Sequence, residues 1–150
     1  MSSRFADTTD TNQDRWETGF EMTKKGNDGP SGFRMTFKNG FTISVQWSSC
    51  HYASARFQDG ETAPISGVAK FSSTAEIAVF NPDMSWMMLH EYSRNTPEWD
   101  SATDDVGWIG PDHIAEIIGV LQSAEEDITP WGETAVLVRE IIARFEKGDG

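Results

Sequence analysis

Two alternating apolar runs on either side of Asn39-Gly40 constrain the fold of this chain more than any other feature. The apolar residues occupy every second position: Phe33, Met35, Phe37, then Phe41, Ile43, Val45 and Trp47. Such alternation is typical of strands with one buried face, and Asn-Gly suits the two positive φ angles of a type I′ turn. The sequence therefore predicts a β-hairpin over residues 33–47, closed by a type I′ turn.

Other segments extend this hairpin into a sheet. Residues 15–23 form a short element, for which a first edge strand is one interpretation. Residues 74–80 alternate again, and after the turn-forming residues 81–83 the segment 86–91 can return as a partner strand. Because two successive hairpins favour antiparallel pairing, we expect one antiparallel sheet.

The last third of the chain changes to a helical period. Pro111 suits a first helical position, and apolar residues then follow at i, i+3, i+4 and i+7: Ile114, Ile117, Ile118 and Leu121. A second helix is predicted to start at Pro130 with Thr129 as its N-cap. Its apolar stripe consists of Trp131, Ala135, Val138, Ile142 and Phe145, widened by Leu137 and Ile141. The predicted fold is α+β, an antiparallel sheet of hairpins followed by two C-terminal helices.

Length and composition suggest how this fold is organised. The 150 residues include six Trp and nine Phe, enough for a packed core, so we expect one α+β domain over residues 15–150. Residues 1–14 are polar and aperiodic, which predicts a flexible arm. Cys50 is the single cysteine, so no internal disulfide can form. With neither a signal-peptide pattern nor an apolar run of membrane-spanning length, we expect a cytoplasmic protein.

The net charge of −12 narrows the classes of partner. Lysine and arginine neutralise phosphates in nucleic-acid complexes, so a general DNA or RNA binder is not expected. Two interpretations of the acidity stay open. The charge can serve solubility, or it can form an acidic face that imitates nucleic acid toward a basic protein.

The sequence contains no recognisable catalytic or metal-binding motif. The histidines His51, His90 and His113 lack metal-ligand spacing, and there is no phosphate loop, GxSxG elbow or HExxH pattern. The pair Asp104-Asp105 could hold a cation or act in acid–base chemistry, although neighbouring acids before a helix are usually turn or capping residues. We therefore predict a non-enzymatic protein without metal or cofactor.

A binding role has better support. The predicted ligand-binding residues are Gln46, Trp47, His51, Tyr52, Arg56 and Phe57, with Arg94, Asp105 and Trp108 as a second group. Aromatic rings stack on planar bases, arginines bind phosphate, and the amide, imidazole and carboxyl groups can read polar edges of a ligand. In the alternative interpretation Trp47 belongs to the core, Tyr52 to a rim, and Arg56 pairs with a carboxylate.

The widened stripe of the second helix also has two interpretations. A helix covering one sheet face needs only about three apolar positions in seven, and this helix offers more. The extra side chains can lie in a groove of the same domain. We predict instead a homodimer or larger homo-oligomer through residues 131–145.

The motifs GFTISVQW (residues 40–47), TAEIAVF (74–80) and DDVGWIGPDHIAEII (104–118), with Tyr52 and Arg56, carry a family resemblance. The chain resembles short uncharacterised bacteriophage proteins, and in size and layout it is similar to the anti-Thoeris sponge family. That resemblance implies a sheet before C-terminal helices, assembly as dimers or larger, and capture of a cyclic ADP-ribose-type signal.

The expected function is therefore a non-enzymatic anti-defence protein that sequesters a small nucleotide immune signal, of cyclic ADP-ribose or cyclic oligonucleotide type. The main alternative is an acidic inhibitor that blocks a basic defence protein, such as a CRISPR effector or restriction enzyme. A virion component and a nucleotide-acting enzyme rank behind these two.

Overall fold

The computed structural model describes residues 16–24, 30–47, 72–90, 104–125 and 132–148. Within these ranges the chain forms strands β1 (Gly19–Lys24), β2 (Pro30–Thr36), β3 (Thr42–Gln46), β4 (Ala75–Phe80) and β5 (Val106–Ile109). Helices α1 (Pro111–Ser123) and α2 (Glu133–Glu146) follow. The strands form one antiparallel sheet in the order β1-β2-β3-β4-β5, so the predicted α+β class is confirmed. The predicted arm over residues 1–14 lies outside the described residues.

The hairpin of β2 and β3 is present, but its predicted turn type is wrong. Phe37 N–H donates to the Phe41 oxygen and Gly40 N–H donates to the Phe37 oxygen, both at 2.9 Å. Gly40 has a φ of 96° while Asn39 keeps a negative φ, so the loop has three residues, a turn followed by a bulged glycine. The apolar pattern explains this choice: a two-residue loop would place Lys38 opposite Phe41 on the apolar face.

Strand β4 has a different neighbour from the predicted one. After the turn at 81–85 Trp86 is the only described residue that bridges back to Phe80, so the returning strand expected over residues 86–91 is wrong for residues 86–90. Glu91 lies outside the described residues. Met87, Met88 and Leu89 are all buried, but they do not continue the ladder because β5 occupies the rest of this edge of β4. Strand β5 pairs with β4 instead.

Helix α1 begins at the predicted residue Pro111, whereas helix α2 begins later than predicted. In α1 the predicted residues Ile114, Ile117 and Leu121 are buried. Helix α2 begins at Glu133 with Gly132 as its N-cap, so the predicted start at Pro130 with Thr129 as cap is too early. Thr129 itself lies outside the described residues.

Both helices cover one face of the sheet, above β3, β4 and β5. The core combines alternate residues of these strands with the apolar stripes of the helices. Its members include Phe41, Ile43, Val45, Ile77, Val79, Ile109, Ile117, Leu121, Val138 and Ile142. The opposite face carries a smaller cluster of Trp16, Ala78 and Phe80. No helix within the described ranges has the length and apolarity needed to cross a membrane.

Candidate ligand-binding cleft

A cleft of about 370 Å³ lies between the sheet and the first half of α1. The sheet contributes Phe33, Val45, Trp47, Ala75 and Ile109, α1 contributes Pro111, Ile114, Ala115 and Ile118, and the hydroxyl-bearing residues Ser72, Ser73 and Thr74 complete the lining. Small-molecule sites commonly measure about 300–1,000 Å³ and are mostly apolar with a few polar groups. In size and lining the cleft is a candidate site for a small ligand.

The strand pattern and the position of α1 create this cleft. Alternation brings Phe33, Val45 and Trp47 to the helix side of the sheet, since every second residue of a strand shares one face. Helix α1 starts two residues after β5, so its first turns run beside the strand ends. The rings of Phe33 and Trp47 meet edge to face with centroids 6.2 Å apart, which gives the cleft an aromatic wall.

The start of α1 also sets the local electrostatics. Its N-cap Gly110 provides no side-chain hydrogen bond, and Pro111 lines the cleft. The first turn of a helix presents unpaired N–H groups and a partial positive charge. No lysine or arginine lines the cleft among the described residues. The arrangement therefore suits a planar apolar group inside the cleft, with polar contacts at its edge, because Asp112 in the first turn offsets the partial positive charge of the helix start.

Gln46 faces away from this cleft. Its Oε1 accepts hydrogen bonds from Ser31 Oγ at 2.6 Å and Thr23 Oγ1 at 2.9 Å, and its Nε2 donates to Ser44 Oγ at 2.9 Å. These partners lie on the opposite face of the sheet from Trp47, so the structure does not bring Gln46 and Trp47 together. Gln46 forms part of a polar network within the sheet.

The other predicted ligand-binding residues either lie away from the cleft or belong to segments outside the described residues. Asp105 and Trp108 are exposed, and neither lines the cleft. Trp108 has a φ of 60° within an irregularity of the β4–β5 pairing. The remaining predicted residues, His51, Tyr52, Arg56, Phe57 and Arg94, lie outside the described residues. Trp47 and Ser72, which border residues 48–71 in the chain, both line the cleft.

Sequence reasoning missed a charged cluster around His90. Its Nδ1 lies 2.9 Å from Asp104 Oδ1, and its Nε2 lies 3.1 Å from Glu146 Oε2. Asp104 Oδ2 also accepts from the backbone N–H of Leu89 at 2.6 Å and of His90 at 3.1 Å. No local pattern could have revealed this cluster, because Glu146 stands 56 positions from His90.

This cluster favours a charged histidine. The hydrogen bond to Asp104 raises the pKa of His90 above its ordinary value of 6.5, against the opposing effect of burial, and Glu146 raises it further. Both ring nitrogens of His90 already contact carboxylates. The cluster therefore joins α2 to the residues before β5, and it offers no ring nitrogen for proton transfer to a ligand.

The predicted subunit interface on α2 is partly buried within the domain. Ile141 is buried, whereas Val136 and Leu137 keep 39% and 43% of their surface exposed. The groove interpretation thus accounts for Ile141. The two exposed residues remain available for a subunit contact.

Acidic residues concentrate in the helical half of the chain. The exposed carboxylates of this half include Asp112, Glu116, Glu125, Glu133, Glu140 and Glu146. Residues 15–47, which include β1 to β3, contain the five basic residues Arg15, Lys24, Lys25, Arg34 and Lys38 and only the three acidic residues Glu17, Glu21 and Asp28. The negative charge is therefore polarised toward the helices and away from β1 to β3.

No group of three or more His, Cys, Asp or Glu side chains in the described part of the chain could hold a metal ion. Comparison of the chain with protein-family models, curated proteins and solved structures found no match.

Proposed function

We propose that this protein is a non-enzymatic phage anti-defence protein that binds and sequesters a small nucleotide immune signal in the cytoplasm of an infected bacterium. The cleft beside α1 carries this proposal, because it combines an aromatic wall, apolar sides and nearby hydroxyl groups. A sequestering protein needs affinity and abundance but no catalytic group. The resemblance to phage sponge proteins supports the same assignment.

In this proposal the nucleobase occupies the cleft and the phosphates lie outside it. Trp47 and Phe33 contact the base edge to face or by stacking, while the side chains of Ile114 and Ile118 enclose its other side. Arg56 and Arg94, assigned by sequence, add charge for an anionic ligand that the apolar lining does not supply.

Native mass spectrometry of the protein purified from cells that carry nucleotide-based defence systems tests the proposal. We expect a stoichiometric nucleotide that is released on denaturation. Ala115→Phe should abolish its retention, because Ala115 lines the cleft and is exposed on α1, so the larger ring fills the site with little effect on the core. Ala143→Phe, also at an exposed helix position but on α2 and outside the lining, is the matched control.

Each result has a distinct meaning. Retention that survives Ala115→Phe would separate the ligand from this cleft. Release of hydrolysis products rather than an intact signal would indicate an enzyme. A protein that carries no small molecule and leaves nucleotide signals active would overturn the sponge proposal.

The polarised charge favours one second candidate, an acidic inhibitor of a basic nucleic-acid-binding defence protein. In that role the carboxylates of α1 and α2 replace phosphates at the partner's surface. Reversing Glu133 and Glu140 to lysine should then abolish inhibition and leave any nucleotide retention unchanged. A matched reversal at Lys38, on the sheet half, should leave inhibition intact.

A further inference from the structure

Strand β1 exposes the two most accessible large apolar side chains among the described residues. Phe20 is 79% exposed and Met22 is 71% exposed. They alternate with the less exposed Glu21 and Thr23, so the apolar side chains of β1 all lie on one face of the strand. An apolar face of this kind is usually covered by another element. In the sheet order β1 is an edge strand, and no described element lies against its outer edge.

The apolar row of β1 continues the rows of the core. Across the sheet, Ile77 pairs with Val45, Val45 with Phe33, and Phe33 with Met22. One pair further along, Val79, Ile43, Met35 and Phe20 form a parallel row. These rows start beneath the helices and stop, still apolar, at the open edge.

The backbone at this edge is also oriented for further pairing. Trp47 N–H donates to the Ser31 oxygen and Phe37 N–H to the Phe41 oxygen, so odd-numbered residues of β2 bond to β3. Antiparallel strands alternate between bonded and non-bonded positions, so even-numbered residues of β2 bond to β1, and their partners there include Glu21. The N–H and C=O groups of Phe20 and Met22 therefore point to the open edge.

We propose that a second copy of this chain pairs with that edge, antiparallel, β1 against β1, about a two-fold axis at Glu21. Residues directly opposite each other in antiparallel strands lie on the same side of the sheet. When a strand pairs with its own copy, even-numbered residues therefore stand opposite even-numbered ones and odd-numbered residues opposite odd-numbered ones. Centring on Glu21 places Phe20 opposite the partner's Met22, and Met22 opposite the partner's Phe20. The apolar rows of both copies then join across the axis, and the sheet becomes ten-stranded.

The local charge makes this edge a better place for a second copy than the acidic helical surface. Two chains of charge −12 repel each other, and residues 15–47 are the part with a basic excess. Glu21 opposite the partner's Glu21 is an unfavourable contact at the axis. Arg34 offsets it, because its guanidinium contacts Glu21 at 2.6 Å and stands one strand away from the axis.

The size of the contact predicts a weak dimer. Stable interfaces bury about 800 Å² on each partner, and contacts below about 1,200 Å² in total are typical of transient complexes. A six-residue edge with two large exposed side chains belongs to the second class. We therefore expect dissociation in the micromolar range.

Dimerisation would also enlarge the cleft. Phe33 lines the cleft and Met22 is its cross-strand neighbour, so the partner's Phe20 would extend the apolar floor beyond Met22. The two clefts of a dimer would then share one continuous floor. This enlargement rests on the proposed ligand site, whereas the dimer itself does not.

Sedimentation equilibrium of the full chain across the micromolar range tests the dimer. The wild type should self-associate with concentration, and Met22→Lys should raise the dissociation constant more than about tenfold, since lysine at an edge strand opposes pairing. Leu137→Lys, at an exposed apolar position of α2, should behave as the wild type. A wild type that stays monomeric throughout would overturn the proposal, as would loss of association in Leu137→Lys alone.

Cysteine cross-linking tests the register in a Cys50→Ser background. Residue 21 meets its own copy at the axis, so Glu21→Cys should form an intermolecular disulfide under mild oxidation. Thr23→Cys should not, because residue 23 lies opposite the partner's residue 19 and far from its own copy. Equal cross-linking of both variants, or of neither, contradicts the proposed axis. Ligand retention measured on the Met22→Lys monomer separates this inference from the proposed function.

Discussion

The side-chain amide of Asn39 donates to the main-chain oxygens of Leu121 at 2.7 Å and Ala124 at 2.8 Å, which joins the β2–β3 turn to the end of α1. The last carbonyl groups of a helix have no partner within the helix, and α1 ends in an extended Ala124 rather than a left-handed glycine. Asn39 Oδ1 also accepts from Phe41 N–H at 3.2 Å. One side chain thus shapes the hairpin loop and caps a helix 82 residues away.

Replacing Asn39 should therefore weaken the whole domain. We expect Asn39→Ala to lower the free energy of unfolding by about 2 kcal/mol, because it leaves two partly buried carbonyl groups and one N–H without this partner. Asn39→Asp keeps the acceptor for Phe41 N–H but loses both donors to the helix carbonyl groups. We therefore expect it to be no more stable than Asn39→Ala. Urea denaturation measures the change, with Gln122→Ala at an exposed position of α1 as the control. Equal stability of Asn39→Ala and wild type would contradict the capping role.

The sequence predicted those parts of the fold that local patterns determine. Alternation located the hairpin and the faces of its strands, and the helical period located the buried stripe of α1. The sequence did not predict the pairing of β4 with β5, because the two strands are distant in the chain and β5 has only four residues, one of them Gly107. The start of α2 was predicted at the wrong residue because its N-cap, Gly132, has no side chain that a capping pattern could show.

The candidate site was predicted only in part. Trp47 was selected for its chemistry and does line the cleft. The alternation that identifies β3 also implies that Gln46 and Trp47 lie on opposite faces of the sheet. Gln46 was grouped with Trp47 only because the two residues are adjacent in the sequence. The wall formed by α1 could not be inferred, because its packing on the strand ends depends on tertiary contacts.

Gly32 should tolerate no side chain. A Cβ at this position would lie 2.0 Å from the Val45 oxygen, and the φ of Gly32 is 156°. Since the obstacle is the backbone of the paired strand, we expect Gly32→Ala to cost about 3 kcal/mol of stability. Gly119→Ala, in α1 with open space around its Cβ, should instead stabilise the protein by about 0.5–1 kcal/mol. Thermal or urea unfolding of both variants tests this opposite pair of signs.

The His90 cluster should make stability depend on pH. Because the pKa of His90 is raised in the folded state, the charged form stabilises the fold at pH below the ordinary value of 6.5. That contribution is lost as the pH rises through the higher folded pKa. The difference in unfolding free energy between wild type and His90→Gln should therefore shrink with rising pH across this range.

Asp104→Asn provides a check on the cause. It removes the carboxylate that raises the pKa of His90 most, so the pH dependence attributed to His90 should weaken in this variant too. An NMR titration of His90 would show the pKa directly. A difference between wild type and His90→Gln that stays constant across pH 6.5 would exclude the charged cluster as its source.

Gln46 should contribute to stability rather than to ligand retention. Its carboxamide already bonds Ser31, Thr23 and Ser44 on the sheet face opposite the cleft. We expect Gln46→Ala to lower the unfolding free energy by about 1–2 kcal/mol, since three hydroxyl groups lose a shared partner. The nucleotide retained in native mass spectrometry should persist in this variant and disappear in Trp47→Ala. The reverse pattern, unchanged stability with lost nucleotide, would return Gln46 to the ligand-binding residues and place the ligand on the polar face of the sheet.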